Sequence, residues 1–232
     1  MYRTFHAVKL GISLGCIFFV MLFCKPAFSA PEQQNAQDRA GALQTWREQC
    51  ADPDPDLRLA YIENAIATND ASIQRICIRL ALQSDNADIR NLGLRAAIVS
   101  VPQITFMTTM PKSLENDLKQ TAGDEQKLRN VYNSQTYRLY AGVKGGLSMR
   151  SEKNEFEKNN FIWNSLAENS EVEGRYSGKA VIIGSKISWT GKIRAHDEYN
   201  CSINVSLTKD AKLSGLLNCY NVAPIDIIAD LL

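Results

Sequence analysis

The chain has 232 residues, of which 45% are hydrophobic, and its formal net charge is +1 at pH 7. Residues 1–29 hold three basic and no acidic residues, so the remainder carries 23 Lys and Arg against 25 Asp and Glu. A weakly acidic chain without a dense Lys/Arg cluster lacks the basic surface typical of nucleic-acid-binding proteins. We therefore expect no nucleic-acid partner.

The N-terminus, residues 1–29, has the pattern of a secretory signal peptide. Basic residues precede an almost unbroken apolar run over residues 10–24, and small residues follow it. This run is shorter than the roughly 20 residues that a membrane-spanning helix requires. We predict cleavage after Ser29, contact with the membrane only through this segment before cleavage, and a periplasmic or secreted location. A permanent anchor and a lipid-modified Cys24 are the alternatives.

Residues 30–110 are predicted to form a helical domain with an internal repeat. A shift of the chain by 32 positions places Asp56-Leu57-Arg58 on Asp88-Ile89-Arg90 and keeps later apolar residues in register. In each copy a turn rich in Asp offers oxygens that can cap the helix after it, and apolar residues then recur at helical spacing. The pattern predicts two similar helices with a return helix between them.

Residues 52–100 resemble HEAT-type α-solenoid repeats, in which an Asp-Pro-Asp turn precedes a helix that carries Arg and then small residues. Two copies are visible, whereas an independent solenoid usually needs at least three. The resemblance implies a scaffold of stacked helix pairs, commonly used to hold another protein. It does not imply a reaction.

The first Asp-rich turn also matches part of an EF-hand calcium loop. Four carboxylates occupy its positions 1, 3, 5 and 12: Asp52, Asp54, Asp56 and Glu63. Position 6, where the calcium loop needs Gly, is Leu57, and Pro53 and Pro55 stiffen the segment that would wrap the ion. We therefore interpret this segment as a turn that caps a helix.

Residues 111–144 are predicted to be a helical connector, and residues 145–232 an antiparallel β domain. From Gly145 onward, short alternating runs separated by Gly, Asn and Ser replace the helical periodicity and offer about six to eight strands. A segment of this length suits a small antiparallel β-sandwich or a partly open barrel. The predicted fold class is therefore α+β, with an N-terminal HEAT-like helical hairpin array followed by the β domain.

Two hairpins are predicted in the β domain. A two-residue turn at Gly184-Ser185 places Ala180 opposite Trp189 in the first, and the second brings two cysteines together. Folding the chain about Asp210 places Cys201 opposite Cys219, and three further couples share that face: Ile203 with Leu217, Val205 with Gly215, and Leu207 with Leu213. Four cysteines outside the signal peptide permit three pairings, and the sequence does not choose among them. We favour the disulfides Cys50–Cys77 and Cys201–Cys219, because the two cysteines of each couple lie in the same half of the chain. Such bridges persist in an oxidising compartment, and a zinc site is the rival interpretation.

Residues that could carry chemistry are sparse. His196 is the only histidine after the signal peptide, and neither a Gly-x-Ser-x-Gly motif nor a Gly-rich phosphate-binding loop is present. We therefore predict no catalytic, cofactor-binding or metal-binding residue. Trp163, Tyr176 and Trp189 are candidates for an aromatic platform that binds a sugar or another ligand, but aromatic residues in a small β domain more often belong to its core.

Three functional hypotheses follow. The leading one is an exported, non-enzymatic protein-binding or scaffold protein of the bacterial periplasm, whose partner is another envelope or secreted protein. The first alternative is a module that binds a glycan or small molecule through the β domain. The second is a cell-envelope hydrolase that uses carboxylates, because paired Asp or Glu residues hydrolyse glycosidic bonds without histidine. No such pair can be nominated from the sequence.

Overall fold

A computed structural model describes residues 36–152, 160–166 and 175–232. The predicted signal peptide, residues 1–29, lies outside the described residues. Within them, four helices come first: α1 Ala36–Gln49, α2 Pro55–Ala67, α3 Ala71–Leu82 and α4 Ala87–Ser100. Three shorter helices follow strand β1, Gln103–Thr108: α5 Lys112–Gln120, α6 Glu125–Tyr132 and α7 Gln135–Val143.

The first helices begin where side-chain caps are available. The Asp54 carboxylate accepts from the backbone N–H groups of Asp56 and Leu57, and Pro55 occupies the first turn of α2. Asp70 and Asn86 cap α3 and α4 in the same way. The interpretation of the Asp-rich segment as a capping turn is therefore confirmed, and the Asp54 carboxylate serves as the cap.

The helical array α1–α4 has its own small core. Eight buried residues form it: Cys50, Ile62, Ala65, Ile73, Cys77, Ala81, Ile89 and Leu92. A disulfide joins Cys50, directly after α1, to Cys77 in the middle of α3. Helix α1 itself contains no buried residue. Its attachment therefore rests on this disulfide, on half-buried side chains, and on an ion pair of 2.7 Å between Arg39 and Asp70.

Eight antiparallel strands form a closed barrel. Their bounds are β1 Gln103–Thr108, β2 Leu147–Ser151, β3 Asn160–Ser165, β4 Ser177–Ile183, β5 Lys186–Arg194, β6 Glu198–Leu207, β7 Lys212–Cys219 and β8 Ile225–Asp230. Each strand pairs with the next, and β1 pairs with β8. The mixed α+β class, with a helical array before a β region, is confirmed. The prediction of a sandwich or a partly open barrel is wrong, because pairing of the first and last strands leaves no open edge.

Strand β1 lies within residues 30–110, which the sequence predicts to be a helical domain. It pairs with β2, which follows it in the chain after the three connector helices, and with β8 near the C-terminus. The barrel therefore takes its strands from residues 103–230, and the helices of the connector are an insertion between its first two strands.

The two hairpins predicted from sequence form in the expected register. Cys201 lies opposite Cys219 and Leu207 opposite Leu213 in the β6–β7 pair, and Ala180 lies opposite Trp189 in the β4–β5 pair. A second disulfide joins Cys201 and Cys219, whose Cα atoms are 4.1 Å apart. Both disulfides match the favoured pairing, and together they indicate an oxidising environment.

Large side chains fill the barrel interior. Trp163, Trp189 and Phe106 are fully buried, and the Trp189 indole N–H donates to the backbone carbonyl of Trp163 at 3.2 Å. The Trp189 indole packs directly against Gly178, where a Cβ would stand only 2.6 Å from the ring. An eight-stranded barrel is just wide enough for side chains to fill it. The interior is therefore a packed core.

Helices cover both ends of the barrel. At one end, Arg90 of α4 donates to the backbone carbonyl of Leu207, beside the β6–β7 turn, at 3.2 Å. At the other end, α7 lies so close to the β5–β6 turn that a Cβ on Gly142 would stand 2.4 Å from the Ala195 Cβ. Buried residues of α4 and α7 belong to the same core as the barrel residues. The helical array and the barrel therefore meet at a continuous contact, and the candidate site lies along it.

Candidate functional site

A groove of about 430 Å³ lies between the helical array and the barrel. Three elements line it: α2 with Leu59 and Glu63, α4 with Asp88, Asn91, Leu92 and Arg95, and the end of β4 with Ile182, Ile183 and Gly184. Clefts where two parts of a protein meet are common places for binding sites.

Helical spacing explains why these side chains share one surface. Leu59 and Glu63 are four residues apart in α2, so they lie one above the other on the same face. The four residues from α4 stand at positions i, i+3, i+4 and i+7, which is a single stripe of that helix. Each helix therefore presents one stripe to the groove.

The barrel side of the groove is the turn between β4 and β5. Gly184 has φ of +57°, a left-handed conformation that favours glycine. A Cβ on Gly184 would stand 3.9 Å from the Asn91 side-chain oxygen, so the turn comes close to α4. Ile183, directly before the glycine, is 73% exposed. An aliphatic side chain this exposed at the rim of a cleft is available for contact with a partner.

The groove combines an apolar floor with a charged rim, in which two exposed carboxylates outnumber the half-buried Arg95 guanidinium. Leu92 and Ile182 are buried, whereas the Glu63 and Asp88 carboxylates are exposed. Within the described part of the chain, neither carboxylate forms an ion pair with another residue. Such a surface suits a partner segment with a large apolar side chain beside a Lys or Arg.

The aromatic residues proposed as a platform lie in the barrel core. Trp163 and Trp189 are fully buried, and Tyr176 is 6% exposed. The Tyr176 hydroxyl donates to the Glu198 carboxylate at 2.9 Å, and the Trp163 ring packs edge-on against Phe161. Side chains alternate across a strand, and this alternation turns the Trp163 and Trp189 rings inward, whereas Tyr176 lies in the turn directly before β4. A ligand would reach them only after the barrel opened.

His196 is exposed in the turn between β5 and β6. It lines a separate cleft of about 910 Å³ beside α7. The next residue, Asp197, forms an ion pair with Arg138 at 2.8 Å. Across the described ranges, no group of three or more His, Cys, Asp or Glu side chains is arranged to hold a metal ion.

Carboxylates with shifted pKa values do not mark an acid–base pair. Hydrogen bonds and ion pairs lower the pKa of Asp70, Glu115 and Asp124, whereas a general acid needs a raised pKa. Every Asp and Glu that the structure describes is at least partly exposed. The hydrolase hypothesis therefore stays a prediction without nominated residues.

The sequence did not reveal the groove because the residues from the two helices lie about 90 and about 120 positions before those from β4. The apolar spacing of α4 was visible in the sequence, but it did not single out the stripe that faces the groove, and nothing pointed to Ile183 as its neighbour. None of the helices in the described ranges has the length and apolar character needed to span a membrane. Comparison with protein families, curated proteins and solved structures gives no match.

Proposed function

We propose that this protein is an exported, non-enzymatic scaffold of the bacterial periplasm that holds another envelope or secreted protein. The partner binds in the groove between the helical array and the barrel. The observation that carries the proposal is the groove itself, in which both halves of the molecule contribute to one surface with an exposed Ile183.

Two further features support the proposal. The resemblance of residues 52–100 to HEAT-type repeats implies stacked helix pairs, which commonly hold proteins. The two disulfides agree with export to an oxidising compartment, and the pattern of residues 1–29 provides the route. The periplasm is the compartment that combines these features in bacteria.

The partner chemistry follows from the groove. Leu92 and Ile182 offer an apolar floor, and Ile183 extends it to the rim. Glu63 and Asp88 place two carboxylates beside it. An extended segment with one large apolar side chain flanked by Lys or Arg complements both properties.

Co-purification from the native envelope fraction tests the proposal. The disulfide-bonded protein serves as bait, and its Ile183→Asp and Glu63→Gln variants are compared with it. Met107→Asp is the control, because Met107 is also exposed, at 54%, but lies on the outer face of β1. We expect Ile183→Asp to lower retention of a specific protein by about tenfold, the effect of losing a central apolar contact.

The remaining variants separate apolar from electrostatic contributions. Glu63→Gln is expected to weaken retention mainly at low salt, because salt screens exposed charges. Met107→Asp should retain the partner as the unmodified protein does. Equal retention by Ile183→Asp and Met107→Asp, or retention of no specific protein by the unmodified bait, would contradict the proposal.

A further inference from the structure

A second concave surface lies on the outside of the barrel, across strands β4 to β7. It is a trough of about 630 Å³. Cross-strand pairing explains its shape. Thr190 pairs with Ser202 and Ser202 with Asn218, which forms one outward row of polar side chains. Lys192 pairs with Asn200 in the next outward row, two residues along each strand.

The floor of the trough is backbone that the second disulfide supports. Gly191, Cys201 and Cys219 are paired across the sheet between the two outward rows, and the cysteines point into the barrel. Their disulfide lies directly beneath the surface and ties β6 to β7. The trough therefore has a covalently braced floor and polar walls.

The rim of the trough carries an exposed aromatic ring. Tyr220 follows Cys219 and is 76% exposed. Its backbone N–H donates to the Asn200 carbonyl at 3.1 Å, and Asn221 after it has a left-handed φ of +58°. The backbone of Tyr220 is therefore fixed on both sides while its ring stays in solvent. An aromatic residue with an apolar ring face and a polar edge exposed to solvent is typical of binding surfaces.

The charged side chains among the described residues that line the trough are both basic. Arg175 and Lys192 line it, and no Asp or Glu does so among the described residues. Arg175 forms an ion pair of 2.7 Å with Glu198, whereas Lys192 has no ion pair with another residue in the described ranges.

We propose that this trough binds an acidic saccharide. The Tyr220 ring stacks on the apolar face of a sugar ring, and the Asn200 and Asn218 amides bond its hydroxyl groups. Lys192 pairs with a carboxylate or phosphate on the sugar. This site shares no residue with the groove, so it is independent of the protein-binding proposal.

Calorimetric titration of the disulfide-bonded protein tests this inference. The probes are α-1,4-linked hexagalacturonate, glucose 6-phosphate, and neutral maltohexaose as the matched control. We expect at least one acidic probe to bind about tenfold more tightly than maltohexaose, with affinity that falls as salt rises. Tighter binding of hexagalacturonate assigns the site to uronic acids, and tighter binding of the phosphate assigns it to phosphorylated sugars.

Variants locate the binding on the trough. Tyr220→Ala and Lys192→Gln are each expected to lower the affinity for the acidic probe by about fivefold or more, the effect of losing one central contact. Lys186→Gln is the control, because Lys186 is exposed on the same strand outside the trough. Circular dichroism checks that each variant is folded, and if Tyr220→Ala is not, Lys192→Gln and the salt dependence decide.

Three results would overturn the inference. The first is no binding of either acidic probe at millimolar concentration. The second is equal affinity for the acidic probes and maltohexaose. The third is binding that Lys192→Gln leaves unchanged in a folded protein.

Discussion

The helical array and the barrel each contain one disulfide, but the two bonds join different kinds of structure. Cys201 and Cys219 lie on neighbouring strands that backbone hydrogen bonds already hold together. Cys50 and Cys77, which are 27 residues apart in the chain, connect the end of α1 to α3. Helix α1 itself buries no residue. The comparison indicates that the barrel is held by its own packed interior, whereas the position of α1 depends on a few discrete attachments.

This difference agrees with how buried side chains are distributed between the two regions. The barrel core contains fully buried large residues such as Trp163 and Trp189, together with side chains from α4 and α7. The core of the helical array has eight buried residues, of which two are the bridged cysteines. We therefore expect changes in the barrel interior to affect the whole molecule, and changes around α1 to act locally.

The largest expected effect comes from Trp189→Ala. This change removes a fully buried indole and its bond to the Trp163 carbonyl, and comparable truncations cost about 3–5 kcal/mol. We expect unfolding of the barrel and of α4 together, measured by denaturant titration. Ser188→Ala, exposed on the same strand, should change stability by less than about 0.5 kcal/mol. A similar small loss for Trp189→Ala would show that the interior is not the packed core described above.

A smaller effect is expected from replacing both Cys50 and Cys77 with Ser. Opening a loop of this length costs roughly 3 kcal/mol in the chain-entropy model. Because α1 buries no residue, we expect its amide protons to lose protection from exchange first, while those of β6 and β7 keep theirs. The Cys201→Ser/Cys219→Ser variant is the matched comparison, and it should leave α1 protected. Equal protection of α1 in both variants would remove the proposed contrast between the two regions.

The smallest effect concerns the ion pair between α1 and the start of α3. The hydrogen bond from Arg39, followed by the backbone N–H of Ile73, lowers the pKa of Asp70 to about 2. A lowered carboxyl pKa stabilises the fold above the ordinary value of about 4, and this contribution disappears as the pH falls towards 2. Asp70→Asn keeps an oxygen that can cap α3 but removes the charge. The unmodified protein should therefore be the more stable of the two at pH 7, with the margin vanishing between pH 4 and 2.

Denaturant titrations of both proteins across this pH range measure the margin. Arg39→Gln is the partner control, because it removes the same ion pair without changing the cap of α3. A margin that does not change with pH in this window would mean that the Asp70 charge does not hold α1.

The sequence contains enough information for local strand pairing. Strict alternation and the opposed cysteines predicted the register of the β6–β7 hairpin, and the same alternation put Trp189 on one face with Ala180. Pairing within a hairpin is predictable because the two strands are adjacent in the chain.

Closure of the barrel and the groove were not predictable in the same way. Strand β1 has six residues, lies between two helical segments, and pairs with a strand near the C-terminus. The groove depends on Leu59 and Ile183, which belong to elements distant in sequence. Such features arise from long-range packing, which local periodicity does not encode.

Photo-crosslinking from both sides of the groove tests most directly the claim that the two regions form one binding surface. A photoreactive amino acid is placed at Leu59 in the helical array or at Ile183 in the barrel, with Met107 as the control position, and adducts from the native envelope fraction are identified by mass spectrometry. We expect positions 59 and 183 to react with the same segment of one partner, and position 107 not to react with it. Adducts with different proteins from the two positions, or the same adducts from position 107, would contradict it.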